Sequence, residues 1–222
     1  MDYRFNKEVL IPVRNITLRG ELTIPLKATS IIIFSHGSGS SRLSPRNKMV
    51  AERLHEKNFG TLLFDLLTPE EDHHYRNRFD IELLTKRLIG ATEWLEKLPA
   101  AKDCKIGYFG ASTGAASALK AASYLPQIDA IVSRGGRPDL ALESLPNVTA
   151  PALLIVGSLD YDVLKLNEEA FSGIGGTKKL EIVEGATHLF EESGMMEQVI
   201  DLAVAWFQKY LQTSVKPQRL QT

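Results

Sequence analysis

One serine stands in a setting that could make it a nucleophile. The pentapeptide GASTG at residues 110–114 directly follows the run KIGYF and directly precedes the alanine-rich stretch AASALKAASYL. A serine on a sharp strand-to-helix turn needs small residues two positions away on each side, because the backbones approach closely there. Such a turn directs the N-terminus of the following helix at the hydroxyl, where backbone N–H groups can stabilise an oxyanion. We predict that Ser112 is a catalytic nucleophile; the alternative is an ordinary helix N-cap.

A serine nucleophile needs a histidine to accept its proton and a carboxylate to orient that histidine. Both residue types follow later apolar runs, with Asp160 after ALLIVG and His188 after LEIVEG. His188 is the only histidine beyond residue 74, so no other base competes in the second half of the chain. We predict that His188 is the general base and that Asp160 orients it. The alternatives are Asp162 as the carboxylate and, for His188, a solvent-exposed loop histidine.

The loop SHGSGSS at residues 35–41 follows the run SIIIF and could complete an oxyanion hole. In the fold that such a strand–serine–helix turn is typical of, one donor comes from the residue after the nucleophile and the other from the loop after the third strand. We therefore predict the backbone N–H groups of Ser38 and Thr113 as the donors. His36 is a candidate substrate contact, although a histidine at this place more often supports the turn by hydrogen bonds. The loop lacks the lysine and the glycine spacing of a phosphate-binding loop, so nucleotide binding is not expected.

Further polar residues lie near the same end of the predicted sheet. Arg134 and Arg137 follow the sixth predicted strand in the sequence SRGGRPD, where a guanidinium could bind a substrate carboxylate. A structural ion pair is the alternative for either arginine. The stretch EEDHH at residues 70–74 could suggest a metal site, but adjacent residues point in different directions and no third ligand is spaced to join them. We expect no metal there, and a solvent-exposed loop over the site.

Short apolar runs bounded by Gly, Ser or Pro predict eight strands, at residues 7–15, 17–25, 30–35, 60–66, 105–110, 128–133, 152–157 and 180–184. From the third onward they are apolar on both faces, which is typical of parallel strands covered by helices. Helices are predicted between them, one opening at Ser44 and Pro45, and one along an apolar stripe from Leu84 to Leu98 that Pro99 ends. This alternation predicts a three-layer α/β/α sandwich around a mostly parallel eight-stranded sheet with an antiparallel N-terminal edge. Ligands bind at the carboxyl ends of the strands in such sheets.

The composition limits the class of protein. The 222 residues carry 26 Lys plus Arg against 27 Asp plus Glu, so no basic surface of the kind that binds nucleic acid or anionic membranes is expected. We predict one domain over residues 1–212 and a polar C-terminal tail at residues 213–222. The single cysteine, Cys104, excludes an internal disulfide. Together with the lack of a signal-peptide pattern and of a membrane-length apolar run, it predicts a cytoplasmic protein. The oligomeric state is left open.

Taken together, these motifs resemble the α/β-hydrolase superfamily over nearly the whole chain, and within it the small dienelactone hydrolase-like and carboxylesterase-like members. The resemblance is carried by HGSG at residues 36–39, the serine turn at 110–114, the segment 157–163 and ATH at 186–188. It implies hydrolysis of carboxylic esters through an acyl-enzyme, without a metal or organic cofactor. The dienelactone hydrolases that name the group typically use cysteine where this chain has Ser112. That departure favours a general esterase.

The function expected from the sequence is that of a serine hydrolase acting on small-molecule carboxylic esters. Short connections after the later strands predict little or no lid, and hence short or compact acyl groups. One alternative is dienelactone-hydrolase-type cleavage of cyclic or anionic esters anchored by Arg134 or Arg137. The other is a non-catalytic α/β-hydrolase scaffold that acts as a binding protein.

Overall fold

All eight predicted strands form and join one sheet. The structure, a computed structural model, describes residues 2–212; the predicted tail at 213–222 lies outside them. The strands are β1 Tyr3–Val13, β2 Ile16–Pro25, β3 Ser30–Ser35, β4 Gly60–Phe64, β5 Lys105–Ala111, β6 Ile128–Arg134, β7 Ala152–Gly157 and β8 Lys178–Val183. Their order across the sheet is β1-β2-β4-β3-β5-β6-β7-β8. β2 pairs antiparallel with β1 and with β4, and all other neighbours are parallel.

The described residues also form α-helices that cover both faces of this sheet. They are α1 Pro45–Glu56, α2 Pro69–Asp72, α3 Ile81–Glu96, α4 Thr113–Tyr124, α5 Tyr161–Phe171 and α6 Met195–Leu211. α1 and α6 share one hydrophobic core with the sheet, around Leu54 and Phe207. α3, α4 and α5 share the other, around Leu88, Leu119 and Ala170. The predicted three-layer sandwich is confirmed. None of the helices within residues 2–212 is both long and apolar enough to span a bilayer.

The sequence signals at the helix ends correspond to real caps. The Ser44 hydroxyl accepts a hydrogen bond from the Asn47 N–H at 3.4 Å, and Pro45 is the first residue of α1. α3 ends at Glu96, before Pro99. The N-terminal ends of the two edge strands are predicted less well. β1 begins at Tyr3 where residue 7 was predicted, and β8 begins at Lys178 where residue 180 was predicted. Most side chains there are exposed, so they carry no apolar pattern that would have marked the strand.

The segment after β4 is exposed at Glu70, His73 and His74, as expected, but it forms short helices where the sequence predicted a loop. Residues 69–79 form α2 and a short 3₁₀ helix. A capping box between Thr68 and Glu71 fixes the start of α2. The guanidinium of Arg78 donates two hydrogen bonds, of 2.9 and 2.8 Å, to the Asp72 carboxylate. In the part of the chain that the structure describes, no three His, Cys, Asp or Glu side chains are grouped to hold a metal ion.

Candidate active site

Ser112 lies on a strained turn between β5 and α4. Its φ of 50° and ψ of −122° are values that residues other than glycine rarely adopt. The backbone holds this turn in place: the Ser112 N–H donates to the Arg134 carbonyl at 3.2 Å, and the Ser112 carbonyl accepts from the N–H groups of Ala115 at 3.0 Å and Arg137 at 3.2 Å. The predicted strand-to-helix turn therefore exists, and it holds the serine at the carboxyl end of the sheet.

The two glycines of the pentapeptide are required by close backbone contacts. A Cβ atom on Gly114 would lie 2.1 Å from the carbonyl oxygen of Ser35 and 2.4 Å from that of His36. A Cβ atom on Gly110 would lie 2.5 Å from the Cα of Ala115. Backbone atoms cannot move aside as a flexible side chain can. The loop that begins at Ser35 is therefore pressed directly against the turn that carries Ser112.

Asp160 and His188 form a direct pair. The Nδ1 of His188 lies 2.6 Å from Oδ2 of Asp160. Asp160 occupies the N-cap position of α5, but its side chain makes no capping hydrogen bond, so the carboxylate is free to face His188. The Asp160 side chain is 13% exposed and that of His188 is 38% exposed. The competing carboxylate, Asp162, is solvent-exposed on the first turn of α5. The geometry thus joins His188 to Asp160, as expected.

Ser112 and His188 line the same cavity, whose volume is about 250 Å³. The cavity also receives Ser38, Arg46 and Arg134. The Ser112 hydroxyl and the His188 ring are not hydrogen-bonded to each other in the described structure. Catalytic hydrogen bonds of this type are often long in an unliganded enzyme and tighten when substrate binds.

The predicted oxyanion donors differ in their availability. The Thr113 N–H lies in the first turn of α4, where backbone donors have no partner within the helix. The Ser38 N–H is not free, because it donates to the Thr113 hydroxyl oxygen at 3.0 Å. Of the two predicted donors, Ser38 is thus already hydrogen-bonded, and a substrate oxygen would have to share or replace this bond.

His36 supports the loop and is absent from the lining of the Ser112 cavity. Its Nδ1 donates to the Gly37 carbonyl at 2.9 Å, and its Nε2 accepts from the Leu66 N–H at 3.0 Å. Burial lowers the pKa of the His36 imidazole below its usual range, which agrees with the neutral ring that these two bonds require. The candidate substrate contact at His36 is therefore not supported, whereas the alternative of a supporting histidine is.

The structure separates the two candidate arginines. Arg137 forms two hydrogen bonds of 2.8 Å with Asp139, and these raise the pKa of its guanidinium. It belongs to a structural ion pair. Arg134 is only 7% exposed and lines the Ser112 cavity. Burial, with a smaller effect from Arg46, lowers the pKa of Arg134 to about 10.

Two residues near the site were not predicted from the sequence. Arg46 lines the cavity but belongs to the first turn of α1, whereas the predicted site residues were sought in the loops that follow the strands. Asn167 of α5 is fully buried and donates to the Gly136 carbonyl at 2.9 Å. It thereby fixes the loop whose Gly135 lies against the His188 ring. A serine N-cap directly after a glycine-rich loop could have pointed to Arg46, whereas no sequence signal marks Asn167.

The architecture is that of the α/β hydrolases, and comparisons with known proteins narrow the class. The chain belongs to the dienelactone hydrolase family, whose model matches residues 18–211. A dienelactone hydrolase from Anabaena variabilis superposes with a TM-score of 0.92 and 50% sequence identity, over 95% of this chain and 100% of that chain. Family and fold together support a hydrolase. The predicted resemblance is confirmed.

Two further comparisons show a protein with the same fold and two relatives that are longer than this chain. Est1E from Butyrivibrio proteoclasticus shares the fold, with a TM-score of 0.79, 16% identity, and coverage of 93% of this chain and 99% of that chain. Two proteins from Mycobacterium tuberculosis, which carry the provisional name phosphoribosyl transferase, are 53% identical over 208 residues. The match covers 93% of this chain and 47% of each relative, so the chain spans about half the length of the curated relatives it matches.

Proposed function

We propose that this protein is a serine hydrolase that cleaves carboxylic esters of small molecules through an acyl-enzyme intermediate. The observation that carries the proposal is the 2.6 Å pair between His188 and Asp160, in a cavity that also receives Ser112 from its strained turn. Nucleophile, orienting carboxylate and base follow β5, β7 and β8 respectively, so all three lie at the carboxyl edge of the sheet. This combination serves nucleophilic catalysis and has little value as a structural device.

The reaction we propose has two halves. His188 Nε2 accepts the Ser112 proton while Ser112 Oγ attacks the ester carbonyl carbon, and Asp160 stabilises the imidazolium that forms. The tetrahedral intermediate collapses, His188 protonates the leaving alkoxide, and the acyl group remains on Ser112. Water then attacks the acyl-enzyme with His188 as the base again, which releases the acid and restores the Ser112 hydroxyl.

In this scheme the Thr113 N–H is the donor to the developing oxyanion, and α4 directs its N-terminal end at the same point. The Ser38 N–H joins it when its bond to the Thr113 hydroxyl is exchanged for one to the substrate oxygen. The cavity of about 250 Å³ favours a short or compact acyl group. The single cysteine agrees with a reducing compartment, and we propose a cytoplasmic enzyme.

We do not extend the name phosphoribosyl transferase to this chain, because the match covers only 47% of each protein that carries that name. The proposal rests instead on the site and on the family. Intact active-site groups also favour an enzyme over a scaffold that only binds, since such scaffolds commonly lose a member of the catalytic set.

Hydrolysis of p-nitrophenyl acetate, butyrate and octanoate tests this proposal. We expect kcat/KM to be highest on a short chain and to fall at least about 10³-fold in Ser112→Ala. Ser123→Ala, which removes a hydroxyl at the far end of α4, is the matched control and should stay within about twofold of the wild type. Equal activity of Ser112→Ala and the wild type would contradict the assignment of the nucleophile.

A further inference from the structure

Arg134 is a buried cation without a partner. Its guanidinium makes no hydrogen bond or ion pair with any residue of the described chain, and its buried Nε has no acceptor. Withdrawing a charge from water without a compensating partner is costly. No Asp or Glu side chain lines the cavity that Arg134 shares with Ser112. The missing partner of Arg134 is therefore expected to arrive with a ligand.

A second cation, Arg46, lines the same cavity. Arg46 lies in the first turn of α1, its Nε is also buried without an acceptor, and its Nη1 binds Glu191 at 2.7 Å. Glu191 is 63% exposed, so it can turn into solvent when another anion approaches. The N-terminus of α1, with its cap Ser44 on the cavity wall, adds a partial positive charge.

We propose that the substrate of this hydrolase carries a phosphate-type dianion, which binds between Arg134 and Arg46 while the ester carbonyl lies at Ser112. A carboxylate is satisfied by one guanidinium through two parallel hydrogen bonds. Here two guanidinium groups and a helix N-terminus face the same space, an arrangement that suits a group with three acceptor oxygens and about two negative charges. This inference rests on the proposed ester hydrolysis and names the class of ester.

Three p-nitrophenyl esters of equal chain length test the dianion site. They are the esters of 4-phosphonobutanoate, glutarate and pentanoate, which end in a dianion, a monoanion and a methyl group. We expect the wild type to prefer the phosphonate over the pentanoate by at least about tenfold in kcat/KM and to prefer it over the glutarate too. Arg134→Met should reduce both ratios at least about fivefold. Arg137→Met, which breaks only the pair with Asp139, is the matched control and should preserve them.

Binding to the Ser112→Ala protein separates this inference from the proposed reaction. Calorimetric titration with free 4-phosphonobutanoate and with glutarate needs no turnover. Tighter binding of the phosphonate, lost when Arg46→Met is added, supports the dianion site even if no ester is hydrolysed. Hydrolysis of the esters without a preference for the phosphonate over both comparison esters, or equal binding of the two acids, would overturn it. Because Arg46 belongs to a different element, this second variant keeps the test valid if Arg134→Met fails to fold.

Discussion

Replacing Asp160 with asparagine tests how much the negative charge beside His188 contributes to the rate of catalysis. When Ser112 loses its proton, His188 becomes positively charged with Asp160 Oδ2 only 2.6 Å from Nδ1. A full charge pair at that distance is worth about 6 kcal/mol at an effective dielectric constant of about 20. The side chains are 38% and 13% exposed, so we halve this to about 3 kcal/mol for solvent screening.

A loss of about 3 kcal/mol corresponds to about 10² in rate. The amide of Asp160→Asn can also donate to Nδ1, which would place the imidazole proton on Nε2, where the ring must accept the serine proton. With that effect, we expect kcat/KM on p-nitrophenyl butyrate to fall about 10³-fold.

Asp162→Asn is the matched control, because it removes the competing carboxylate two residues away on an exposed turn. It should retain activity within about threefold. The reasoning would be refuted by a loss below about tenfold in Asp160→Asn, or by equal losses in the two variants, provided both proteins unfold at the wild-type urea concentration.

Two further predictions concern stability. Gly114→Ala should lower the free energy of unfolding by about 3 kcal/mol in urea titrations, because the added Cβ would overlap the Ser35 carbonyl. The control is Gly194→Ala, at a position with positive φ but open space, which should lower it by only about 1 kcal/mol. Equal losses in the two variants would show that steric overlap is not the cause. Burial lowers the pKa of His55 from 6.5 to about 4, so between these pH values the unfolded chain takes up a proton that the folded protein does not, and stability falls as pH drops through that window. We expect this histidine to contribute about 1–2 kcal/mol of the loss after allowing for its partial exposure, and a His55→Gln variant with an unchanged pH dependence of unfolding would rule the contribution out.

The parts of the fold and site that the sequence predicted are those that depend on local patterns. Apolar runs and caps located the strands and helices, because buried parallel strands and capped helices require such residues. The positions of Ser112, Asp160 and His188 followed from one rule, that loops after parallel strands meet at one edge of the sheet.

The remaining features depend on side-chain directions and long-range neighbours. Arg134, the last residue of β6, and Arg137 stand three residues apart, and only the folded path of the chain shows that Arg134 lines the cavity while Arg137 pairs with Asp139. The bond from the Ser38 N–H to the Thr113 hydroxyl depends on a rotamer. Arg46 comes from a helix, which the rule of strand ends does not cover.

The most direct test of the central claim is to identify the residue that becomes covalently modified. The purified protein and Ser112→Ala would be treated with a fluorophosphonate, and the adduct would be located by intact-mass measurement and peptide mapping. We predict one adduct per chain, on Ser112, formed in parallel with the loss of esterase activity and absent from Ser112→Ala. An adduct on another residue, or equal labelling of Ser112→Ala, would contradict the account.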